Sequence, residues 1–247
     1  MKYIDIKKIL HNALRLIGYD IISFNPTNHP LARRRQLMKI YDINLVLDVG
    51  ANTGQFAQYL RKDIKYLKKI ISYEPLSNAF CALKRNAEGD DLWAVNNYAL
   101  GDKNETKEIN IAHNLASSSF LNMLPSHIKA APQARYIGKE LIEIKTLDSI
   151  FNDIYKEGEN IYLKIDVQGY ESKVIKGAES VLSHINTIQL EMSLVPLYQN
   201  ELLLPEVLSL MKDKGYGLVY ITPCFHDKKT GQLLQVDGIF HRMGNSY

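Results

Sequence analysis

The chain has 247 residues, 46% of them apolar and 23% charged, which suits one large globular domain or one domain with a small appendage. A chain this long can bury a two-faced sheet without a covalent staple, and its two cysteines, Cys81 and Cys224, stand far apart without metal-ligand spacing, which argues against a zinc site and for a reducing, cytoplasmic setting. The net charge of +3 is uneven: residues 1–40 hold eight basic residues against Asp5 and Asp20, a balance of +6, and the remainder carries −3.

In chain order, the first 24 residues scatter charges among their apolar positions, so they form no uninterrupted signal-peptide core and no membrane span. Ile6, Leu10, Ala13, Leu14 and Ile17 share one helical face, and residues 1–40 read as a helical extension whose stripe packs on the body or on a second subunit in preference to lipid. Arg33-Arg34-Arg35 reads as a solvated face; a membrane surface, an acidic partner or nucleic acid are its alternative uses.

From residue 45 short β-rich runs alternate with helical stretches. Leu45–Val49 is a buried strand, 54–61 a helix and 70–73 a strand closed by Glu74-Pro75. A helix over 77–86 follows with Ser77 as its N-cap, then a strand over 93–98 and extended runs at 107–112 and 142–146. The irregular stretch between them, 113–140, reads as a lid or substrate loop. Strands at 161–167, 188–192, 218–221 and 236–241, with helices at 171–182 and 203–214, complete an α/β pattern. The alternation predicts a parallel, doubly wound sheet with helices on both faces and ligands beyond the carboxyl ends of its strands. A domain over 41–247 follows.

The best-placed motif is Leu47-Asp48-Val49-Gly50-Ala51-Asn52-Thr53-Gly54-Gln55, at the passage from first strand to first helix. Gly50 lets the chain turn, Gly54 permits close backbone approach at the helix start, and twenty residues later Glu74 is placed to accept both hydroxyls of a ribose. NAD(P) and S-adenosylmethionine both fit this outline. The dinucleotide fingerprint has a glycine where Asn52 stands and a different spacing, and Asp48 would repel a pyrophosphate but could serve a cationic amino-acid group through water or an amide. Both departures favour S-adenosylmethionine. Ala99-Leu100-Gly101-Asp102, after the third strand, sets Leu100 and the Asp102 carboxylate where an adenine edge would lie.

A second polar cluster is Leu163-Lys164-Ile165-Asp166-Val167-Gln168-Gly169-Tyr170-Glu171. Asp166 ends a core strand at the reaction crevice, Gly169 allows a tight turn, and Lys164, inside an apolar strand, calls for a carboxylate partner. Taken with Asp48–Gln55, Glu74-Pro75, Ala99–Asp102, Thr146-Leu147-Asp148, Lys176-Gly177-Ala178, and Glu191 with Pro196-Leu197-Tyr198, this run resembles the FkbM family of methyltransferases over residues 45–222. The resemblance implies a class I methyltransferase, Rossmann-like, mostly parallel seven-stranded sheet, S-adenosylmethionine as donor, and O-methylation of a sugar, glycan or natural-product hydroxyl. It carries the cofactor roles to Gly50, Asn52, Gly54, Glu74 and Asp102.

Donor contacts are therefore expected from Asp48, Gly50, Asn52, Gly54, Gln55, Glu74, Leu100, Asp102 and Asp166. A neutral hydroxyl must lose its proton during attack, so a carboxylate or His in reach is required. Asp166 is the first candidate, with Glu191 and then His113, at the lid's entrance, behind it. Asp166, Gln168, Glu171 and Glu191 could gather a cation, but their spacing requires none and no metal is assigned. Tyr170 and Tyr198 read as packing residues rather than sugar platforms. The rivals are a nucleic-acid methyltransferase, disfavoured because no aromatic-studded basic face and no Asn/Asp-Pro-Pro-Tyr motif occurs, and a non-catalytic nucleotide binder.

Overall fold

The computed structural model describes residues 6–244, with side chains from Leu10 onward. Lys2 and Asp5 of the basic extension lie outside the described residues, as does the Ile6 side chain of the expected stripe. The chain divides into two compact units, one ending at Ile40 and one beginning at Tyr41.

The first unit holds helices α1 (Ile6–Leu16) and α2 (Pro30–Ile40). Pro30 opens α2, where its missing N–H costs nothing and its φ suits the helix. Asn25 shapes the preceding turn, its side-chain oxygen accepting from Thr27 N and Asn28 N at 3.0 Å each. Leu10, Ala13 and Ile17 of the apolar stripe are exposed, and one expectation is corrected: Arg34, the middle of the three arginines, is buried rather than solvated.

In the second unit, β1 (Leu45–Val49), β2 (Lys69–Tyr73), β3 (Trp93–Asn96), β7 (Ile161–Ile165), β8 (Ile185–Ser193), β9 (Tyr216–His226) and β10 (Leu233–Arg242) form one sheet in the order β3-β2-β1-β7-β8-β10-β9. The first five are parallel, while β10 runs antiparallel to both β8 and β9. This is the class I methyltransferase topology. All five residues of β1 and all five of β7 are buried, as central strands covered on both faces require. The core gathers Leu47, Leu163, Ile165, Leu190 and Phe240 with residues from helices α6 (Leu147–Ile154), α7 (Glu171–Lys176) and α8 (Leu204–Asp213).

Between β3 and β7 the chain builds a second, three-stranded sheet that the sequence reading did not separate. It consists of β4 (Ala99–Leu100), β5 (Glu105–Ala112) and β6 (Tyr136–Lys145) in the order β4-β6-β5. The stretch expected to be irregular from 113 to 140 thus ends in strand from Tyr136, and it contains helix α5 (Pro125–Ala130). The strand expected at 93–98 stops at Asn96, because the Asn97 amide turns back to donate to the carbonyls of Glu74 and Pro75. Likewise α7 ends at Lys176 instead of 182. A Cβ on Gly177 would meet the Gly101 carbonyl at 1.8 Å, and from there Asp148 collects Ser180 N and Val181 N, which draws the chain off the helix axis. Helix α6 was not anticipated; Thr146 caps it, accepting from Ser149 N. Finally, β1 leads into the short helix α3 (Gln55–Tyr59), and Ser77 is the first residue of helix α4 (Ser77–Ala87), not its cap; its hydroxyl donates to Glu140 and the N-cap position is Leu76.

Candidate active site

At the carboxyl ends of β1, β2, β7 and β8 lies a cavity of about 380 Å³, within the range of ligand sites. Its floor is the loop that follows β1. Gly50 (φ +76°) and Asn52 (φ +49°) turn the chain through left-handed backbone, and Gly50 N and Ala51 N both donate to the Tyr73 carbonyl. A Cβ at Gly50 would stand 1.9 Å from the Asp166 carbonyl oxygen, so only glycine lets the two loops meet.

Glu74 is 5% exposed and borders the cavity. Its Oε2 accepts from Asn52 N at 2.7 Å and its Oε1 from Leu76 N at 2.9 Å. Burial pushes its carboxyl up to about 7 against these two amide bonds. Each oxygen keeps a lone pair for a further donor.

Asp48, expected beside the donor, is fully buried and does not border the cavity. It faces Lys164 on the neighbouring strand, its register partner, at 3.3 Å, and takes the Ser72 hydroxyl at 3.3 Å. Ser72 in turn accepts from the Trp93 indole at 3.0 Å. The expected amino-acid contact is therefore corrected to a structural one: Asp48 balances the Lys164 charge. Lys164 also reaches Asp166 Oδ2 at 3.3 Å. Burial works against its ammonium, but Asp166, Asp48 and Asp237 together raise its pKa.

Two further donor expectations are corrected. Gly54 (φ +89°) does not border the cavity; the groups that approach it closely are Leu83 and Trp93, each 2.8 Å from a Cβ built there. Asp102 does not border the cavity either; its carboxylate is paired with Lys173 at 3.2 Å and Lys176 at 3.6 Å. Gly50, Asn52, Gln55, Glu74, Leu100 and Asp166 all border the cavity. Apolar walls come from Leu76, Ala79, Leu100, Ile109 and Phe120, the last two delivered by the second sheet and the segment that follows it. Leu76, Ala79, Ile109, Leu115, Ser118 and Phe120 were missed, the last three because only the fold of 113–124 over the crevice brings them in.

The opposite wall carries the acids. Gln168 (φ +56°) and Gly169 (φ +91°) make a left-handed turn after β7, and Glu171 holds it from below, accepting from Val167 N and Gly169 N. The Gln168 amide donates to Asp166 Oδ1 at 3.0 Å and to Glu191 Oε2 at 2.8 Å, while its own oxygen takes the Tyr198 hydroxyl at 2.8 Å. Gln235 adds a second amide on Glu191 Oε2 at 2.8 Å, and the Cys224 thiol lies 3.6 Å from Oε1. Burial and the charges of Asp166, Glu171 and Asp237 push the Glu191 carboxyl well above the usual carboxylate range. Burial likewise lifts Glu171 to about 7. Gln168, Gln235 and Cys224 went unassigned from sequence; the Gln168-Gly169 pair was the readable signal, since its left-handed turn aims the amide.

The remaining candidates sit elsewhere. His113 is exposed and does not border the cavity, so its expected catalytic contact is withdrawn. Tyr170 and Tyr198 are buried packing residues. The segment 113–124 is pinned rather than loose: Ser119 Oγ donates to the Gln168 carbonyl at 2.7 Å and Tyr198 OH to the Ser117 carbonyl at 3.2 Å. Both cysteines are exposed and free.

These residues fit an adenosylated amino-acid donor. Glu74 offers two unshared acceptor positions for the ribose diol, the Leu76, Ala79 and Leu100 wall suits a base, and Gly50, Asn52 and Gln55 line the turn where the methionine portion would lie. The family model of the methyltransferase FkbM domain matches residues 48–218. Methyltransferase sdnD of Sordaria araneosa is 26% identical over 196 residues, spanning 70% of this chain and 73% of that protein. 2-O-methyltransferase NoeI of Sinorhizobium fredii (strain NBRC 101917 / NGR234) is 24% identical over 173 residues, spanning 68% and 70%. A crystal structure of methyltransferase FkbM from Methylobacillus flagellatus KT is 15% identical with a TM-score of 0.46; the match covers 80% of this chain and 44% of that longer one. The chain belongs to the FkbM family and is a methyltransferase whose methyl donor is S-adenosylmethionine.

Proposed function

We propose that the chain methylates a hydroxyl oxygen of a sugar or sugar-bearing acceptor, with Asp166 taking the hydroxyl proton. The observation that carries this reading is the acid pair on one cavity wall, Asp166 and Glu191, bridged by the Gln168 amide. The name of the NoeI relative, a 2-O-methyltransferase, supports an oxygen acceptor.

When bound, S-adenosylmethionine supplies a methyl group already activated by the sulfonium. The chain's own contribution is to orient the acceptor and to receive its proton. Asp166 is suited to this, because Lys164 and Gln168 each hold one of its oxygens while its side chain stays 37% exposed. A base so placed contributes about 10²–10⁴-fold. Glu191 has amides and a thiol around it where Asp166 has a cation, and its burial beside Asp166, Glu171 and Asp237 favours its protonated form. A protonated Glu191 donates a hydrogen bond to a second acceptor oxygen and orients the hydroxyl for Asp166. One carboxyl held by a cation and one held by amides thereby divide the roles of acceptor and donor. We place the reaction in the cytoplasm, a reading supported by the exposed free thiols of Cys81 and Cys224.

The test is methyl transfer from labelled donor to a panel of mono- and oligosaccharides, RNA and amines. Methyl ethers on a sugar are expected, with Asp166→Asn lowering kcat about 10²–10⁴-fold. Transfer to RNA or to an amine would overturn the acceptor, and an unimpaired Asp166→Asn would overturn the base.

A further inference from the structure

The amino-terminal unit carries a surface that the donor site does not explain. Helix α1 ends at Leu16, where Gly18 N donates to the Arg15 carbonyl and Tyr19 N to the Leu14 carbonyl, so the chain after the helix is folded back by hydrogen bonds. On this ordered turn and the run behind it, Leu16, Ile17, Tyr19, Ile21, Ile22 and Phe24 are all exposed, Leu16 to 89% and Ile17 to 67%. Single exposed apolar residues are ordinary, but six within nine positions are not, and such a surface usually meets another apolar phase.

Charge indicates which phase. Residues 1–40 carry +6, whereas the rest of the chain is at −3. Arg35 and Lys39 are exposed, and the Arg35 guanidinium lies 5.5 Å over the Phe24 ring. Cation and aromatic ring therefore sit at one place on the unit's surface, as at a lipid headgroup boundary. Covering this surface with a second copy would set one basic segment, +4 over residues 10–40, against another. Nucleic acid would neutralise the cations and leave the aliphatic side chains in water.

We infer that residues 10–40 dock peripherally on an anionic lipid surface, with Leu16, Ile17 and Phe24 inserted among the acyl chains and Arg35 and Lys39 at the headgroups. The pairing of exposed apolar groups with basic ones is what interfacial binding requires, since neither alone holds a protein there firmly.

The test is sedimentation of the full chain with phosphatidylcholine vesicles, either pure or containing about 30% phosphatidylglycerol. Partition onto the anionic vesicles is expected, at least about tenfold weaker on neutral vesicles and in about 0.5 M salt. Leu16→Glu/Ile17→Glu and Arg35→Glu/Lys39→Glu should each weaken it about tenfold or more, with S-adenosylmethionine binding by calorimetry unchanged as the check on folding. The inference fails if the parent chain ignores anionic vesicles or if the apolar pair is replaced without effect. It also fails if the chain is a dimer in solution that Leu16→Glu/Ile17→Glu dissociates, or if RNA displaces it from a surface insensitive to that replacement.

Discussion

The carbonyl oxygen of Asp166 occupies the place where a Cβ on Gly50 would stand, 1.9 Å away. The loop that receives the donor and the residue assigned to the acceptor are thus in backbone contact, and Asp166 N completes the link by donating to the Val49 carbonyl at 3.1 Å. Movement of one loop displaces the other.

Gly50→Ala should therefore be among the most damaging single-methyl changes in the chain. It combines positive φ with a backbone overlap, and a loss of more than about 3 kcal/mol of stability is expected, together with donor binding. Gly158→Ala is the control, since Gly158 has a similar φ of +85° with nothing within 4 Å of the added carbon. It should cost only about 1 kcal/mol. Urea unfolding of the two variants measures the difference, and equal losses would remove the overlap as the cause.

Glu74 sets the pH dependence of donor binding. Its carboxyl titrates at about 7 in the donor-free chain, and the ionised form is the one that accepts ribose hydroxyls. Affinity should be level at alkaline pH and fall by about tenfold per unit once the pH is well below 7, because a proton must then be released on binding. Glu74→Gln should abolish that slope and weaken binding about 10–100-fold. Calorimetry in buffers of different ionisation enthalpy reads the proton directly.

Lys164 stands between Asp48 and Asp166, 3.3 Å from each. Lys164→Met would leave Asp48 fully buried without a counter-charge, and a loss of about 3–5 kcal/mol is expected. Adding Asp48→Asn should recover much of it by removing the stranded charge. If the double variant is no more stable than the single one in chemical denaturation, the pair is not what holds β1 against β7.

Buried acids on the catalytic wall should make the chain more stable in mild acid than in base. The Glu171 carboxyl is raised from 4.5 to about 7, so the folded state binds more protons than the unfolded one between those values. Stability then declines as pH rises through about 7 and levels off above it. Each unit of upward shift corresponds to about 1.4 kcal/mol. Glu171→Gln, which keeps an acceptor for Val167 N and Gly169 N, should flatten the profile of melting temperature against pH.

Much of this was legible in the chain itself. β1 and β7 announce themselves because both faces are covered and nearly every position is apolar; Gly50 and Asn52 follow β1 directly, and Glu74 follows β2. Local patterns of that kind survive folding because they describe contacts between neighbours in sequence. The misreadings within the site were of direction. Asp48 and Asp102 are acids at plausible spacing, but each is turned toward a lysine supplied by another element, Lys164 or the Lys173–Lys176 pair. The approach to Gly54 comes from Trp93 and Leu83, not from a ligand.

By itself, then, the sequence determined the alternation of strands and helices, the turn at Gly50 and the presence of an acidic wall after β7. The tertiary structure decided which acids face the cavity. Strand register sets Asp48 opposite Lys164 and Glu191 opposite Asp237, and the second sheet and the segment after β5 supply Ile109 and Phe120. A side chain's direction depends on which charge it meets across a strand or a crossover, and that partner lies up to 116 residues away in the case of Lys164 and Asp48, beyond the reach of any local pattern.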